Sequence, residues 1–339
     1  MVDEKLENYK RYGWKTSEKN LETLPESAPQ AAKDLAKWLT LDGRKKSLVE
    51  WLGCVKDDGR IHGKFWPIGA WSGRMSHTNP NQANIFAPFH GDPRSAVEEV
   101  KAKYDYTLRD LWTVEEGNWL VGTDAEGIQL RILAHYMKSP EYVKAIVEGK
   151  KEDETDIHNV NKRALGPICR SRDDAKTFIY AFLLGASIPK VAEILKCNNK
   201  QAGEAVANFL RALPGLKKLK EHKIPVDASR GYFLGLDGRK VACDSEHLML
   251  AGYLQNGESV IMKHANVLWR KELRKTGINF KQVDFVHDEW QTEVIGTKEE
   301  AEEVGRIQRW AIEQTGKDLG LFCPLAGSSD IGKTWAETH

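Results

Sequence analysis

The stretch VDFVHDEWQTEV, residues 283–294, places three ionisable side chains inside an otherwise strand-like segment. Apolar and β-branched residues on both sides favour a half-buried strand, and His287, Asp288 and Glu289 lie where a hairpin would turn. The segment by itself fits a polar turn, because Asp side chains often bond the local backbone there. It fits equally well a metal site in which Asp288 is an oxygen ligand for Mg²⁺. The second interpretation requires another carboxylate prepared in a similar way.

A second carboxylate of this kind follows the strand-like run NWLVGTD at residues 118–124. Asp124 ends this predicted strand, and helical spacing begins at Gly127. If the two strands are neighbours, Asp124 and Asp288 emerge at one edge of one sheet. Two such carboxylates can hold a pair of Mg²⁺ ions, an arrangement that suits in-line phosphoryl transfer.

The helix predicted over residues 171–187 supplies cations for a triphosphate. An S-x-x-D capping box fixes its start at Ser171, and Arg172, Lys176 and Tyr180 follow one turn apart on one face. Cations oppose the helix dipole at an N-terminus, so their placement favours an anion beside them. The alternative is a surface helix whose basic residues pair with the adjacent aspartates.

Composition excludes several classes of protein. The chain has 339 residues, a net charge of +1, 41% hydrophobic and 29% charged residues, which is ordinary for a globular protein. Its five cysteines form no CxxC pair, so neither a disulfide framework nor a zinc site is indicated. The sequence has no long apolar run and no signal peptide. We therefore expect no membrane association and a reducing, cytoplasmic setting.

The secondary-structure pattern indicates an α+β fold, a small antiparallel sheet carrying a helical insertion. Residues 51–75 carry glycines and alternating strands, and strands are also expected at 118–124 and in the hairpin at 283–294. Helices are predicted over residues 29–41, where "LDG" ends the first, and over 127–137, 171–187, 188–212, 246–275 and 298–319.

The ordered motifs resemble those of family A DNA polymerases, the DNA polymerase I type. The segments DAEGIQLRILAHYM, DIHNVNKRALGPICRSRDDAKTFIYAFLLGAS and VHDE look like that family's motifs A, B and C. GRMSHTNPNQANI resembles its primer-binding segment, and GLDGRK followed by SEHLMLAGYLQNGESVIMK resembles its template-side segment. The ending GKTWAETH is similar to the tail of the replicative polymerases of short-tailed phages. The resemblance covers roughly residues 45–339.

The resemblance implies Mg²⁺-dependent addition of dNTPs to a primer 3′-OH, with two ions and primer–template DNA as partner. It gives the catalytic roles to Asp124, Asp288, Glu289 and Lys176. The metal ligands would be Asp124, the Ala125 carbonyl and Asp288. The nucleotide would be bound by Arg172, Lys176, Tyr180, His158 and Gln129. The DNA would be contacted by Arg74, Asn81, Asn84, Arg239, His247, Gln255 and His287.

The resemblance also implies a right-hand architecture. Residues 1–50 would be a remnant of the thumb, 51–139 and 265–339 the two parts of the palm, and 140–264 the fingers. Such a short N-terminal part leaves out most of the thumb and the proofreading exonuclease. Either the chain is a fragment or a separate chain carries the thumb and the 3′–5′ exonuclease.

The chain departs from the family at two positions. Family members carry Glu where this chain has Gln129, the steric gate against ribonucleotides, and many carry Tyr where it has Leu184. Two other functions stay open. One is a low-activity or non-catalytic subunit that binds primer–template within a split polymerase. The other is a single-subunit RNA polymerase, which shares the palm chemistry, although the motif B spacing and VHDE favour DNA synthesis.

Overall fold

A computed structural model of the chain describes residue 21, residues 27–85 and residues 108–339. The chain divides into two compact units. The first comprises the described residues up to Lys64 and those from His77 to Trp112, and the second comprises Phe65–Ser76 and Thr113–His339. The parts of the predicted thumb and palm at 1–20, 22–26 and 86–107 lie outside the described residues.

The described residues of the first unit include a long helix. Helix α1, Gln30–Cys54, continues through "LDG", so its predicted end near residue 41 is wrong. Glycine in a helix interior costs only about 1 kcal/mol, and a helix of this length outweighs that cost at Gly43. The rings of Trp51 and Trp112 pack edge to face with centroids 5.3 Å apart.

The region predicted to hold alternating strands, residues 51–75, is mostly turns. Its one strand is β1, Lys64–Trp66, and β2, Ser76–Thr78, follows it. Short 3₁₀ helices cover Gln82–Asn84 and Leu108–Leu111.

A four-stranded antiparallel sheet forms the base of the second unit. Its strands are β3 (Trp119–Ala125), β6 (Phe280–Val286), β7 (Glu289–Val294) and β8 (Gly327–Gly332), in the order β6-β7-β3-β8. The predicted strand at 118–124 and the predicted hairpin are therefore confirmed, and the two are neighbours. A side chain at Gly122 would place a Cβ 2.0 Å from the Thr338 carbonyl oxygen, so the close approach of the C-terminal segment requires glycine there.

Two long helices cover the sheet. They are α10 (Glu246–Leu273) and α11 (Lys298–Asp318). Their bounds agree with the helices predicted over 246–275 and 298–319. Helix α11 packs on β3, β8 and α10. Three buried polar side chains join it to the strands, because Thr123 donates to Gln308 at 2.7 Å and Gln308 donates to Thr292 at 2.9 Å.

The helices between β3 and α10 form the insertion that the sequence predicts. They are α2 (Ile128–Met137), α3 (Pro140–Val147), α4 (Ile157–Leu165), α5 (Arg172–Leu183), α6 (Ile188–Leu195), α7 (Asn199–Ala212), α8 (Pro214–Lys218) and α9 (Ile224–Ser229). One helix turn of π type covers Leu219–Lys223, and a small hairpin of β4 (Tyr232–Leu234) and β5 (Lys240–Ala242) precedes α10.

The predicted helix at 188–212 is two helices. Lys196 adopts a left-handed conformation, φ 53°, that ends α6, and Asn198 with Gln201 forms a capping box that begins α7. Three aromatic rings join α5 to α7. They are Phe178 and Phe182 of α5 and Phe209 of α7, with ring centroids 5.1–5.5 Å apart. Two of the three predicted domain boundaries, near residues 50 and 264, fall inside helices, and the division into domains stays a prediction.

Candidate active site

The sheet brings the two carboxylates of the sequence prediction together. Asp124 is the last residue but one of β3, and its partner across the ladder is Glu289, the first residue of β7. Asp288 precedes Glu289 in the turn between β6 and β7, and its carbonyl oxygen accepts a hydrogen bond from the Ala125 N–H at 3.0 Å. His287 completes the tight turn with a φ of 51°, in the left-handed region.

Burial and the charges of nearby carboxylates disfavour the charged forms of both aspartates. Burial raises the pKa of Asp124 to about 8, and the charges of Asp288, Glu289 and Glu258 add to the shift. Burial also raises the pKa of Asp288 to about 7, with Glu258 adding and Arg74 opposing. Each carboxylate thus lies in a negative field that a cation would relieve.

Glu289 differs from its neighbours because three groups bind its carboxylate. Burial by itself would raise its pKa, but hydrogen bonds from His339, Gln291 and Trp335 lower it below its usual value. The Trp335 indole and the Gln291 amide both donate to Oε1 at 2.6 Å, and His339 Nδ1 lies 2.8 Å from Oε2. This side chain is therefore ionised and fixed beside Asp124.

The donor chemistry at this sheet edge fits Mg²⁺. Aspartate oxygens are the hard ligands this ion prefers, and Mg²⁺ commonly binds through one or two carboxylates plus substrate phosphates. Among the described residues, His, Cys, Asp and Glu form no cluster of three or more with the arrangement of a metal site. The pair Asp124 and Asp288 fits a site completed by substrate oxygens rather than a closed protein cage.

The N-terminus of α5 carries the predicted cations. The Ser171 side chain accepts a hydrogen bond from the Asp174 N–H at 3.0 Å and begins the helix. The Arg172 guanidinium donates twice to Asp156, at 2.6 and 2.9 Å, and Lys176 is exposed one turn later. Arg172 therefore pairs chiefly with Asp156 rather than with the aspartates of its own helix.

Asp156 binds both Arg172 and Asn159, and the sequence did not predict that one carboxylate has both partners. Its carboxylate also accepts from the Asn159 N–H at 3.3 Å as the N-cap of α4. Burial would raise its pKa, but the bonds from Arg172 and Asn159 lower it. The N-cap could have been found from "DIHN", since Asp is a favoured N-cap; the partner 16 residues away could not.

Tyr180 of α5 lies within the electrostatic reach of both aspartates. Burial raises the pKa of its hydroxyl, and the charges of Asp288 and Asp124 add to that effect. The His158 ring centroid lies 6.3 Å from the Tyr180 ring. Burial, followed by the Arg172 charge, lowers the pKa of His158, which favours its neutral form. The structure therefore groups Tyr180, His158 and Arg172 on the side of the sheet edge that carries Asp124 and Asp288.

Arg74 and Gln129 share one partner, Glu258, which the sequence analysis did not single out. Arg74 donates to both oxygens of Glu258, Nε to Oε1 at 2.7 Å and a terminal nitrogen to Oε2 at 2.5 Å. Gln129 Nε2 donates to Oε2 at 3.2 Å. A carboxylate inside a helix with apolar neighbours is the signal that could have identified Glu258.

The remaining predicted DNA contacts are dispersed. Gln255 is half-buried and His247 exposed on α10. Gly185 follows α5 with a φ of 83°, and a Cβ there would lie 3.0 Å from His247 Nε2. Arg239 is exposed and pairs with Asp237. Asn81 and Asn84 belong to the first unit. Their roles toward DNA stay predictions.

Within the described part of the chain, no helix combines the length and apolar character needed to cross a membrane.

The amino-acid sequence of the chain is similar to those of known proteins. The profile of DNA polymerase family A matches residues 2–337. The DNA-directed DNA polymerase of Enterobacteria phage T3 is 32% identical over 341 residues, which cover 91% of this chain and 46% of the phage protein. That of Escherichia phage T7 is 32% identical over 343 residues, with the same coverage. The thermostable DNA polymerase I of Thermus aquaticus is 26% identical over 82% of this chain and 32% of its own length.

A solved structure has the same fold. The POL domain of Pol1 from M. smegmatis, described in complex with DNA primer-template and dNTP, superposes with a TM-score of 0.79 at 23% identity. The match covers 96% of this chain and 57% of that one. This likeness confirms the α+β polymerase architecture that the sequence predicts, and this chain spans about half the length of the phage relatives.

Proposed function

Since this chain belongs to DNA polymerase family A, we propose that it catalyses template-directed addition of dNTPs to a primer 3′-OH at the site of Asp124 and Asp288. The observation that supports this most is the pair itself. Asp124 at the end of β3 and Asp288 in the turn before β7 are half-buried side by side, near enough for the Asp288 charge to raise the pKa of Asp124, and Tyr180 of the helix that carries Arg172 and Lys176 lies within the field of both.

The oxygens of Asp124, Asp288 and the Ala125 carbonyl would hold two Mg²⁺ ions. When bound, the ions supply a lowered pKa for the attacking hydroxyl and charge stabilisation for the leaving oxygen. Glu289 contributes a fixed negative charge beside Asp124, because three hydrogen bonds keep its carboxylate ionised.

The helix α5 binds the nucleotide. Arg172 offers a planar fork that suits phosphate oxygens, and Lys176 neutralises the charge that builds on the leaving pyrophosphate. Tyr180 packs on the sugar and base, His158 completes the phosphate site, and Gln129 lies at the sugar. Donors aimed at developing charge are worth about 10²–10³ in rate.

Primer–template DNA would be bound by polar and basic side chains from several segments. These are Arg74, Asn81, Asn84, Arg239, His247, Gln255 and His287. Phosphate contacts of this kind set affinity and its salt dependence.

Primer extension by the purified chain tests the proposal. We expect extension with dNTPs and Mg²⁺, little extension with NTPs, and none by Asp124→Asn. Tight primer–template binding without extension would replace the proposal with a binding subunit. Efficient extension with NTPs would replace it with an RNA polymerase.

A further inference from the structure

Glu258 is a fully buried carboxylate in the middle of α10, with a relative exposure of 0%. The Arg74 guanidinium binds both of its oxygens in a fork, at 2.7 and 2.5 Å, and the Arg74 side chain is itself 17% exposed. A buried charge needs such a partner, since an unpaired one is strongly unfavourable. The fork therefore supplies the partner that this buried carboxylate needs and fixes the direction of the Arg74 side chain.

The second contact of Glu258 orients Gln129. The amide nitrogen of Gln129 donates to Oε2 of Glu258 at 3.2 Å, whereas both oxygens of Glu258 already accept from Arg74. The carbonyl oxygen of Gln129 consequently points away from Glu258. The Glu258 carboxylate thus fixes the orientation of two side chains, the guanidinium of Arg74 and the amide of Gln129.

Positions 129 and 258 accommodate a single carboxylate between them. Glutamate at 129 would put two carboxylates about 3.2 Å apart at a buried site, where one of them would have to take up a proton. The departure from the family's Glu at 129 then has a physical reason: in this chain the negative charge is on Glu258. That charge also reaches the sheet edge, because it helps raise the pKa of both Asp124 and Asp288.

We propose that Glu258 is a positioning residue of the nucleotide-addition site, which acts through Arg74 and Gln129 and sets selectivity for the sugar of the incoming nucleotide. The inference rests on the proposed function. Without Glu258, Gln129 is free to turn its amide, and the sugar position then offers a donor or an acceptor with equal ease. Discrimination against a ribose 2′-OH weakens as a result.

Thermal unfolding tests the pairing of residues 129 and 258 and needs no nucleotide. It compares four proteins: the wild type, Gln129→Glu, Glu258→Gln and the double variant. Each single substitution leaves a mismatch, either two facing carboxylates or an Arg74 without its acid. The double variant exchanges the two groups and restores one carboxylate and one amide. We expect each single variant to unfold about 2–6 °C below the wild type and the double variant to recover most of that loss. Additive shifts in thermal unfolding would overturn the pairing.

The same proteins test the positioning role in single-nucleotide addition. For Glu258→Gln we expect a KM for dNTP raised about tenfold, a smaller change in kcat, and a ratio of dNTP to NTP efficiency lowered about three- to tenfold. The double variant should return both quantities toward the wild type. The matched control is Glu272→Gln, which removes an acid from the same helix where it pairs with exposed Lys275.

The outcomes separate the two claims. Coupled unfolding shifts with an unchanged KM and sugar ratio in Glu258→Gln would leave the pair purely structural and overturn the positioning role. A wild type that extends no primer would overturn the proposed function, whereas the unfolding cycle would still decide whether residues 129 and 258 form the pair.

Discussion

At the scale of single residues, the charges of the two aspartates at the sheet edge lower the stability of the fold, whereas the proposed reaction needs them. Asp124 and Asp288 lie in the negative field of Glu258 and Glu289, and burial removes the water that would screen it. We predict that Asp124→Asn and Asp288→Asn each lower the rate of nucleotide addition by at least about 10³-fold. Without Mg²⁺, each should also raise the free energy of unfolding by about 1–2 kcal/mol. Steady-state kinetics and urea unfolding measure the two effects. A variant that is both inactive and unstable would instead indicate a structural role.

His135 gives a prediction for pH at a residue outside the site. Burial, helped by Lys138, lowers its pKa from 6.5 to about 4, and its Nδ1 accepts from the Phe322 N–H at 3.0 Å. Because the folded pKa is below the unfolded one, this stability is complete above about pH 6.5 and is lost as the pH falls toward 4. The side chain is half-exposed, so the loss should be only about 1 kcal/mol. His135→Gln keeps an acceptor for Phe322 but does not titrate. Urea unfolding at pH 7.5, 5.5 and 4.5 should show the two proteins diverging on the acid side, and parallel profiles would contradict the assignment.

At the scale of elements, one carboxylate joins two helices of the insertion. Asp156 caps α4 and pairs with Arg172 at the start of α5. Asn is also a good N-cap, so Asp156→Asn should cost less than about 1 kcal/mol, whereas Asp156→Ala should cost about 1–2 kcal/mol. Both remove the acid that orients Arg172 and should raise the KM for dNTP several-fold. Thermal unfolding and single-nucleotide addition compare the two variants. Equal stability of both would show that the cap contributes little, and an unchanged KM would show that Arg172 needs no such partner.

The elements themselves were predictable where local signals agree. The alternation around Asp124 and Asp288 identifies both strands, and Ser171 marks the start of α5. The break before α7 also had a local signal, the capping residue Asn198, which the helical periodicity of 188–212 obscured. The continuation of α1 through Gly43 had none, because helix propensity is a weak preference that a long helix overrides. The pairing of Asp156 with Arg172 and that of Glu258 with Arg74 could not be predicted, since each contact depends on how separate segments pack.

At the scale of the molecule, the second unit assembles its site from segments far apart in the chain. Arg74 reaches Glu258 across 184 residues of sequence, and neighbouring side chains of α10 bind the same loop. Asn256 donates to the Ser72 carbonyl at 3.0 Å, Ser259 donates to the Gly73 carbonyl at 2.5 Å, and Lys263 donates to that carbonyl as well. One face of α10 therefore fixes the backbone that carries Arg74.

This attachment leads to a prediction about DNA affinity. Asn256→Ala with Ser259→Ala removes two of the three bonds to the loop while Arg74 and Glu258 remain. Each lost hydrogen bond contributes about 0.5–1.5 kcal/mol, so the loop becomes mobile and Arg74 pays an ordering cost when primer–template binds. We expect the Kd for primer–template to rise about 5- to 50-fold at fixed salt, measured by fluorescence anisotropy, with kcat at saturating DNA changed much less. Lys271→Ala, an exposed site near the end of the same helix, is the control for a general effect on α10. An unchanged Kd in the double variant would contradict this prediction. It would mean that the two attachments left in that variant, the Arg74–Glu258 fork and the Lys263 bond, suffice to hold the loop.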